Sequence, residues 1–184
     1  MTFNPICYGI KMPFLEPVTL THEHARLAPL SHDHCDDLIA ATRDGHLSDL
    51  WYTSVPSAET MAAEIDRRLG LFAEQRMLPF AVIDIAGEKP VAVGMTTFMN
   101  VDAINRRVEI GSTWYRKSVQ RTAINTECKL MLLRHAFEVL GCIAVEFRTH
   151  FFNHQSRRGI ERLGAKLDGV LRSHMVSPNG TLRD

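Results

Sequence analysis

Three strand-like runs follow one another with no helix between them, over residues 80–85, 91–98 and 106–115. Ala86-Gly87-Glu88-Lys89-Pro90 joins the first two as a hairpin-like connection. Residues 18–30 read as an extended segment, and Ser31 is placed to cap a helix over 32–43, with Asp33, Asp36 and Asp37 at its positive end. Pro56-Ser57 opens a second helix, in which Met61, Ile65, Leu69 and Phe72 recur at helical spacing and Pro79 is the expected stop. After the strands come a helix over 123–140, a strand over 143–151, a helix over 153–163 and a last strand over 166–176. Helices early, three strands, then helix and strand in alternation make a mixed α/β (α+β) order. Residues 1–17, broken by Pro5, Pro13 and Pro17, are an irregular lead-in, and one domain is expected over 18–184.

The longest helical pattern carries Leu130, Leu133, Phe137 and Leu140 on one face, widened by Leu132, Ala136 and Val139, with Gly141 as its stop. A loop, Arg116-Lys117-Ser118-Val119-Gln120-Arg121-Thr122, leads from the third strand straight into it. The first amides of a helix have no partner inside the helix, and the helix dipole adds partial positive charge there. Phosphate oxygens fit such a place, and Arg116, Lys117 and Arg121 add charge. The short side chains of Thr122, Ala123, Asn125 and Thr126 let a ligand approach the backbone. An ordinary strand-to-helix connection with solvated bases would show the same residues.

Gln120-Arg121-Thr122-Ala123-Ile124-Asn125 resembles the coenzyme A loop of the GNAT N-acetyltransferase superfamily, Gln/Arg-x-x-Gly-x-Gly/Ala, with Ala123 and Asn125 at the usual small positions. A second stretch, Asn153-His154-Gln155-Ser156 followed by Leu163-Gly164-Ala165, resembles the family's later signature. Taken as residues alone, Asn153 is a helix cap and Ser156 a first-turn residue. The two stretches stand in the family's order, and the chain looks most like the RimJ/RimL branch. The resemblance implies a central mixed twisted sheet flanked by helices, with acetyl-CoA as co-substrate and an amine as acceptor. It implies cofactor contacts from Trp114, Tyr115, Gln120, Arg121 and Thr122, and from Ala123, Ile124, Asn125 and Thr126 as the helix begins. Asn153 and Ser156 complete that set. The family's last strand is expected to be missing, because the turn signal Pro178-Asn179-Gly180 comes just before Asp184. An open sheet edge would then favour a homodimer.

Acetyl transfer to an amine requires a base for the amine, a donor for the developing oxyanion and stabilisation of the departing thiolate. The resemblance points to Glu109 as the base. Glu109 could equally pair with Arg107 or Arg148. Strict alternation puts Thr113 and Tyr115 on its side, and a bulge near Gly111 would break that parity. The oxyanion donor is expected to be a main-chain N–H near Thr113 or Trp114. Where many members carry a tyrosine for the thiolate this chain has Ile160, which leaves Ser156 to serve. Glu146, Arg148 and His150 alternate on one strand face as an ion-paired patch or part of an acceptor pocket, with His174 a minor candidate. Trp51 and Tyr52 either line the acceptor mouth or cover the core.

The 21 Lys+Arg and 21 Asp+Glu cancel, which argues against general nucleic-acid binding and attraction to anionic membrane. There is no apolar run of membrane-spanning length and no signal-peptide plan near the start. Cys7, Cys35, Cys128 and Cys142 have no paired spacing and are expected to be reduced thiols of a cytoplasmic protein. His22-Glu23-His24 and His32-Asp33-His34-Cys35 lack zinc-type recurrence, so no metal is expected. Two functions remain: an acetyl-CoA dependent N-acetyltransferase working by direct attack in a ternary complex, and a non-catalytic acyl-CoA sensor suggested by Ala123, Asn125 and Ile160. The acceptor stays open among a protein N-terminus, another peptide, a polyamine and an antibiotic amine.

Overall fold

The computed structural model describes residues 14–177 and 180–184. The lead-in over 1–13 and the turn residues Pro178 and Asn179 lie outside the described residues. A six-stranded sheet runs in the order β1 (Leu20–Thr21), β2 (Ala25–Pro29), β3 (Met77–Asp84), β4 (Val91–Asp102), β5 (Arg107–Tyr115), β6 (Ala144–Glu146). Neighbours are antiparallel except the last pair, which is parallel. Helices α1 (Cys35–Arg43) and α2 (Met61–Ala73) cover one face; α3 (Ile124–Arg134) covers the other. Helix α4 (His154–Arg162) follows β6, and a small separate hairpin joins β7 (Met175–Val176) to β8 (Leu182–Arg183).

The sheet's two faces make two cores. Leu27, Phe80, Val82, Phe98, Val108 and Ile110 meet Cys128, Met131 and Leu132 of α3. Ala81, Ile83, Met95 and Trp114 meet Leu38, Met61 and Ile65 of α1 and α2. A Cβ on Gly94 would run into the Trp114 carbonyl, so only glycine lets β4 pass this close to β5.

Several expected boundaries shift. Helix α2 starts at Met61, not at Pro56-Ser57. Pro79 does not stop it but lies inside β3. Its carbonyl accepts from Leu30 N at 3.1 Å. In an antiparallel strand a residue's N and O point the same way, so the missing donor of Pro79 faces the place where β2 has already ended. The expected strand 143–151 shrinks to Ala144–Glu146, and of 166–176 only Met175–Val176 is strand. Helix α3 ends at Arg134 and continues as one π-helical turn, His135–Val139. Gly141, at φ +65, then lets Cys142 N bond back to Ala136 O at 2.9 Å, which closes the helix. The apolar face expected on that helix is also rotated. Leu130 and Phe137 are exposed, whereas Cys128, Lys129, Leu132 and Ala136 are buried.

Glu127 ties α3 to the β1–β2 turn. It is buried, takes the His24 ring at 2.6 Å and accepts from the amides of His24 and Ala25 at 2.9 and 3.1 Å. The Glu127 hydrogen bond raises the pKa of His24 above the ordinary 6.5. Burial opposes ionisation of Glu127, yet the His24 ring, its amide and its charge hold the carboxyl below 4.5. The contribution of Glu127 is present above its ordinary value and lost as pH falls through the lowered one. That of His24 is present below its ordinary value and lost as pH rises through the raised one. The pair is therefore fully effective between 4.5 and 6.5. Replacing Glu127 by alanine leaves two amides unpaired and is expected to cost about 2–4 kcal/mol in urea unfolding. The cost should shrink as pH rises above that window; an equal cost at alkaline pH would rule out the ionic part.

Candidate active site

The site begins where β5 and β6 part. They pair only at Arg107↔Ala144, Val108↔Val145 and Glu109↔Glu146. Beyond that β5 runs on to Tyr115, and among the described residues no strand pairs with that side of it. A bulge sits in the open stretch. Met95 faces Trp114 and Thr97 faces Gly111, so Ser112 and Thr113 together oppose Thr96. Ser112 takes a left-handed backbone, φ +46, which few non-glycine residues adopt.

The bulge is held from the α2 side by Arg68, which is 2 % exposed. Its Nη1 and Nη2 donate to the Ser112 carbonyl at 3.4 and 3.3 Å, Nη1 to Thr97 Oγ1 at 2.8 Å, and Nε to Glu64 at 2.7 Å. Burial lowers the pKa of Arg68, with the Glu64 carboxylate working against that shift. The extra residue also breaks the expected parity. Glu109 does not share a side with Thr113 and Tyr115. Tyr115 belongs to the α3 core and Thr113 accepts from Lys129 of α3, whereas Trp114 turns to the α1/α2 core.

Glu109 is 5 % exposed and its Oε2 accepts from Asn100 Nδ2 at 2.7 Å. The Arg148 guanidinium lies 3.4 Å from the same oxygen and donates to Glu146 at 3.0 Å. Arg107 links Glu146 to Asp102, so the alternating polar face of the β6 segment is an ion-paired patch. His150 is buried and packs edge-on against Trp51 at 5.2 Å, with Phe152 behind it at 5.7 Å. Trp51 itself is 67 % exposed and also meets Tyr52 at 5.7 Å, so these rings cap the outer end of the patch. His174 is exposed, and its main-chain N donates to the Arg183 carbonyl at 3.0 Å.

The loop after β5 is anchored at one end and open at the other. Asp44, at the end of α1, accepts from Ser118 N at 3.1 Å and Arg116 Nε at 2.9 Å. The hydrogen bonds from Ser118 and Arg116 lower its pKa to about 2. Arg116 is thus an anchor rather than a free cation. Gln120 turns its amide back onto the Tyr115 carbonyl at 3.0 Å. Arg121 takes φ +66, and Arg121, Thr122 and Ala123 are exposed. Ala123 is right-handed helical, φ −64 and ψ −26, a conformation that alanine favours. Thr122 Oγ1 is 3.4 Å from Ile124 N. The amides of Arg121, Ala123, Asn125 and Thr126 have no acceptor among the described residues. Trp114, Tyr115 and Ile124 bury their side chains, and Gln120 and Thr122 already engage the Tyr115 carbonyl and the Ile124 amide.

Helix α4 lies against the same corner, its Arg162 donating to Thr126 Oγ1 at 2.9 Å. Asn153 Oδ1 accepts from Ser156 N at 3.0 Å and so caps the helix. Ile160 is half-buried and offers no donor. Two arrangements were missed from sequence, the buried Arg68 and the buried Lys129. Both fall on helical repeats of apolar residues: Arg68 lies three after Ile65, and Lys129 lies three before Leu132. Cys35, Cys128 and Cys142 are free thiols; Cys7 lies outside the described residues. Glu23, His24 and Glu127 bring ligand-type atoms within 4.8 Å of one another, with Glu127 and His24 already bonded to each other. No helix among the described residues is long and apolar enough to cross a membrane.

A parting strand pair, a bulge in the gap and a helix start with unpartnered amides beside it mark the candidate site of an α/β enzyme. The family described as the acetyltransferase (GNAT) domain matches residues 24–166, and the chain belongs to that family. It is an N-acetyltransferase. A GCN5-related N-acetyltransferase from Brucella melitensis superposes with a TM-score of 0.79 at 29% identity, over 93% of this chain and 77% of that one. RimL, a ribosomal L7/L12 α-N-protein acetyltransferase, gives 0.77 at 16% identity over 91% and 90%. The microcin C7 self-immunity acetyltransferase MccE, in complex with acetyl-CoA and AMP, gives 0.74 at 16% over 88% and 89%. At that identity the last two show a shared fold alone. No curated protein sequence matches the chain.

Proposed function

We propose that this enzyme transfers the acetyl group of acetyl-CoA to a primary amine by direct attack in a ternary complex. The observation that supports this reading best is the set of amides of Arg121, Ala123, Asn125 and Thr126, beside the bulge, that have no acceptor among the described residues. Ala123 is helical and exposed, so its methyl does not close that set. These amides would hold the pyrophosphate, with Arg121 supplying charge from an exposed side chain. The main chain of Trp114 and Tyr115 would run beside the pantetheine arm, as strand edges accept extended ligands. Gln120 shapes the loop through Tyr115, Asn153 orients the start of α4, and Ser156 would offer its hydroxyl to the sulfur. When bound, acetyl-CoA supplies the activated carbonyl. Glu109 would take the proton of the attacking amine, and a main-chain N–H of the bulge would stabilise the carbonyl oxygen as it gains charge.

Calorimetric titration with acetyl-CoA tests the first half of this reading. Micromolar binding is expected; folded protein that gives no heat would end it. Ser156→Ala should bind as well and turn over more slowly against a panel of amines and peptides followed by mass spectrometry. Binding without any acetylated product would instead favour the sensor reading that Ile160 suggests. RimL acts on a protein N-terminus by its name, and a peptide amine is accordingly the first acceptor to try.

Self-association is proposed at the outer edge of β6, where no strand pairs among the described residues and Ile143 is exposed. Light scattering should give a mass that rises with concentration; a constant monomer mass would remove the homodimer from consideration.

A further inference from the structure

Lys129 is a charged side chain that neither the ion pairs of the fold nor the chemistry above accounts for. It stands on the core face of α3, only 7 % exposed. Its Nζ donates to Thr113 Oγ1 on the bulge at 3.0 Å, and the Phe147 ring, just past β6, lies 5.6 Å from it. The ammonium therefore bridges the gap in which β5 and the chain leaving β6 separate. Thr113 Oγ1 is shared with Thr96 Oγ1 at 2.8 Å and lies 3.2 Å from the Gly111 carbonyl. No carboxylate pairs with Lys129 among the described residues, and burial lowers its pKa to about 8. The titratable groups beside it are neutral: burial pushes the Cys128 thiol up to about 12 and the Tyr115 phenol well above 10. Glu109 and Arg148 meet on the other side of β5.

Resting on the coenzyme A reading, we propose that Lys129 is the proton donor to the departing sulfur. The amine lone pair forms the C–N bond, and the C–S electron pair leaves on sulfur. The sulfur takes a proton from the Lys129 ammonium. The new amide nitrogen gives its proton to Glu109, and exchange with water restores both side chains. The amine and the leaving group are thereby served from opposite sides of β5, Glu109 on one and Lys129 on the other. The match is chemical as well as spatial, since an acid near the ordinary thiol value of about 8.5 suits a thiolate leaving group. A buried ammonium without a counterion is costly in the resting protein and gains its partner when the thiolate forms. Ser156 can offer a hydrogen bond to the sulfur, but its hydroxyl is too weak an acid to give up the proton.

The test uses coenzyme A itself and the ultraviolet absorbance of its thiolate, titrated with pH while bound. Subtracting the acetyl-CoA complex, whose sulfur cannot ionise, removes the protein's own thiols. The bound thiol is expected to ionise about one pH unit or more below the free one, a tenfold gain in thiolate at a given pH. Lys129→Met should abolish that gain while acetyl-CoA still binds. A bound thiol that titrates like the free one overturns the proposal in the wild-type protein alone, whether or not the variant folds. An unchanged gain in a folded Lys129→Met overturns it too. Absence of binding heat with acetyl-CoA would overturn the coenzyme A reading, and the role of Lys129 with it.

Discussion

Replacing Arg68 by methionine is expected to destabilise the fold by about 3–5 kcal/mol, the usual cost of removing one partner of a buried ionic network. Methionine fills much of the same volume, so the loss reports the polar contacts and not a cavity. It would strand Thr97 Oγ1, which is fully buried, and the Ser112 carbonyl, and it would leave Glu64 paired with the more exposed Arg67 alone. Part of the loss falls on the site. Ser112 is left-handed, and such a backbone persists only where its surroundings enforce it. Arg68 is the side chain that grips its carbonyl. Urea unfolding gives the stability and acetyl-CoA calorimetry the effect on the site. A cost near zero would mean that the network adds nothing beyond packing.

Replacing Glu109 by glutamine should lower kcat by about 10²–10⁴, the range that a positioned general base contributes. Binding of acetyl-CoA should stay near its wild-type value, because Glu109 lies before the bulge and away from the loop that follows β5. The variant keeps the size of the side chain and its bond from Asn100. Arg148→Ala separates the two possible roles of this residue. If Glu109 serves only to neutralise Arg148, both variants should slow turnover alike. If it takes the proton of the amine, Arg148→Ala should be the milder. A Glu109→Gln rate within about tenfold of the parent would dismiss it as the base.

Much of the fold was open to a reader of the sequence because its signals are local. The periodicity of α2, the stop at Gly141 and the cap at Asn153 depend on neighbours within one or two turns. The loop between β5 and α3 was legible as a strand-to-helix connection for the same reason, whereas the right-handed helical backbone at Ala123 is visible only in the structure. What escaped depends on partners far along the chain. Pro79 could enter β3 only because β2 ends opposite it, which no window around Pro79 reveals. Residues 147–151 have strand-forming composition, but β5 turns away at Glu109 and leaves them nothing to pair with. Arg68 and Lys129 sit on apolar stripes, where a long cation is usually assumed to reach water. Here the bulge offers each of them an oxygen, from opposite sides of the sheet.

The geometry at Ala123 has a thermodynamic corollary. A glycine at this point would sample many backbone states before any nucleotide arrived, and binding would have to freeze them. Alanine already favours the conformation found here, so the entrance to α3 is shaped in advance, and on the proposed coenzyme A reading less ordering entropy would be lost on capture.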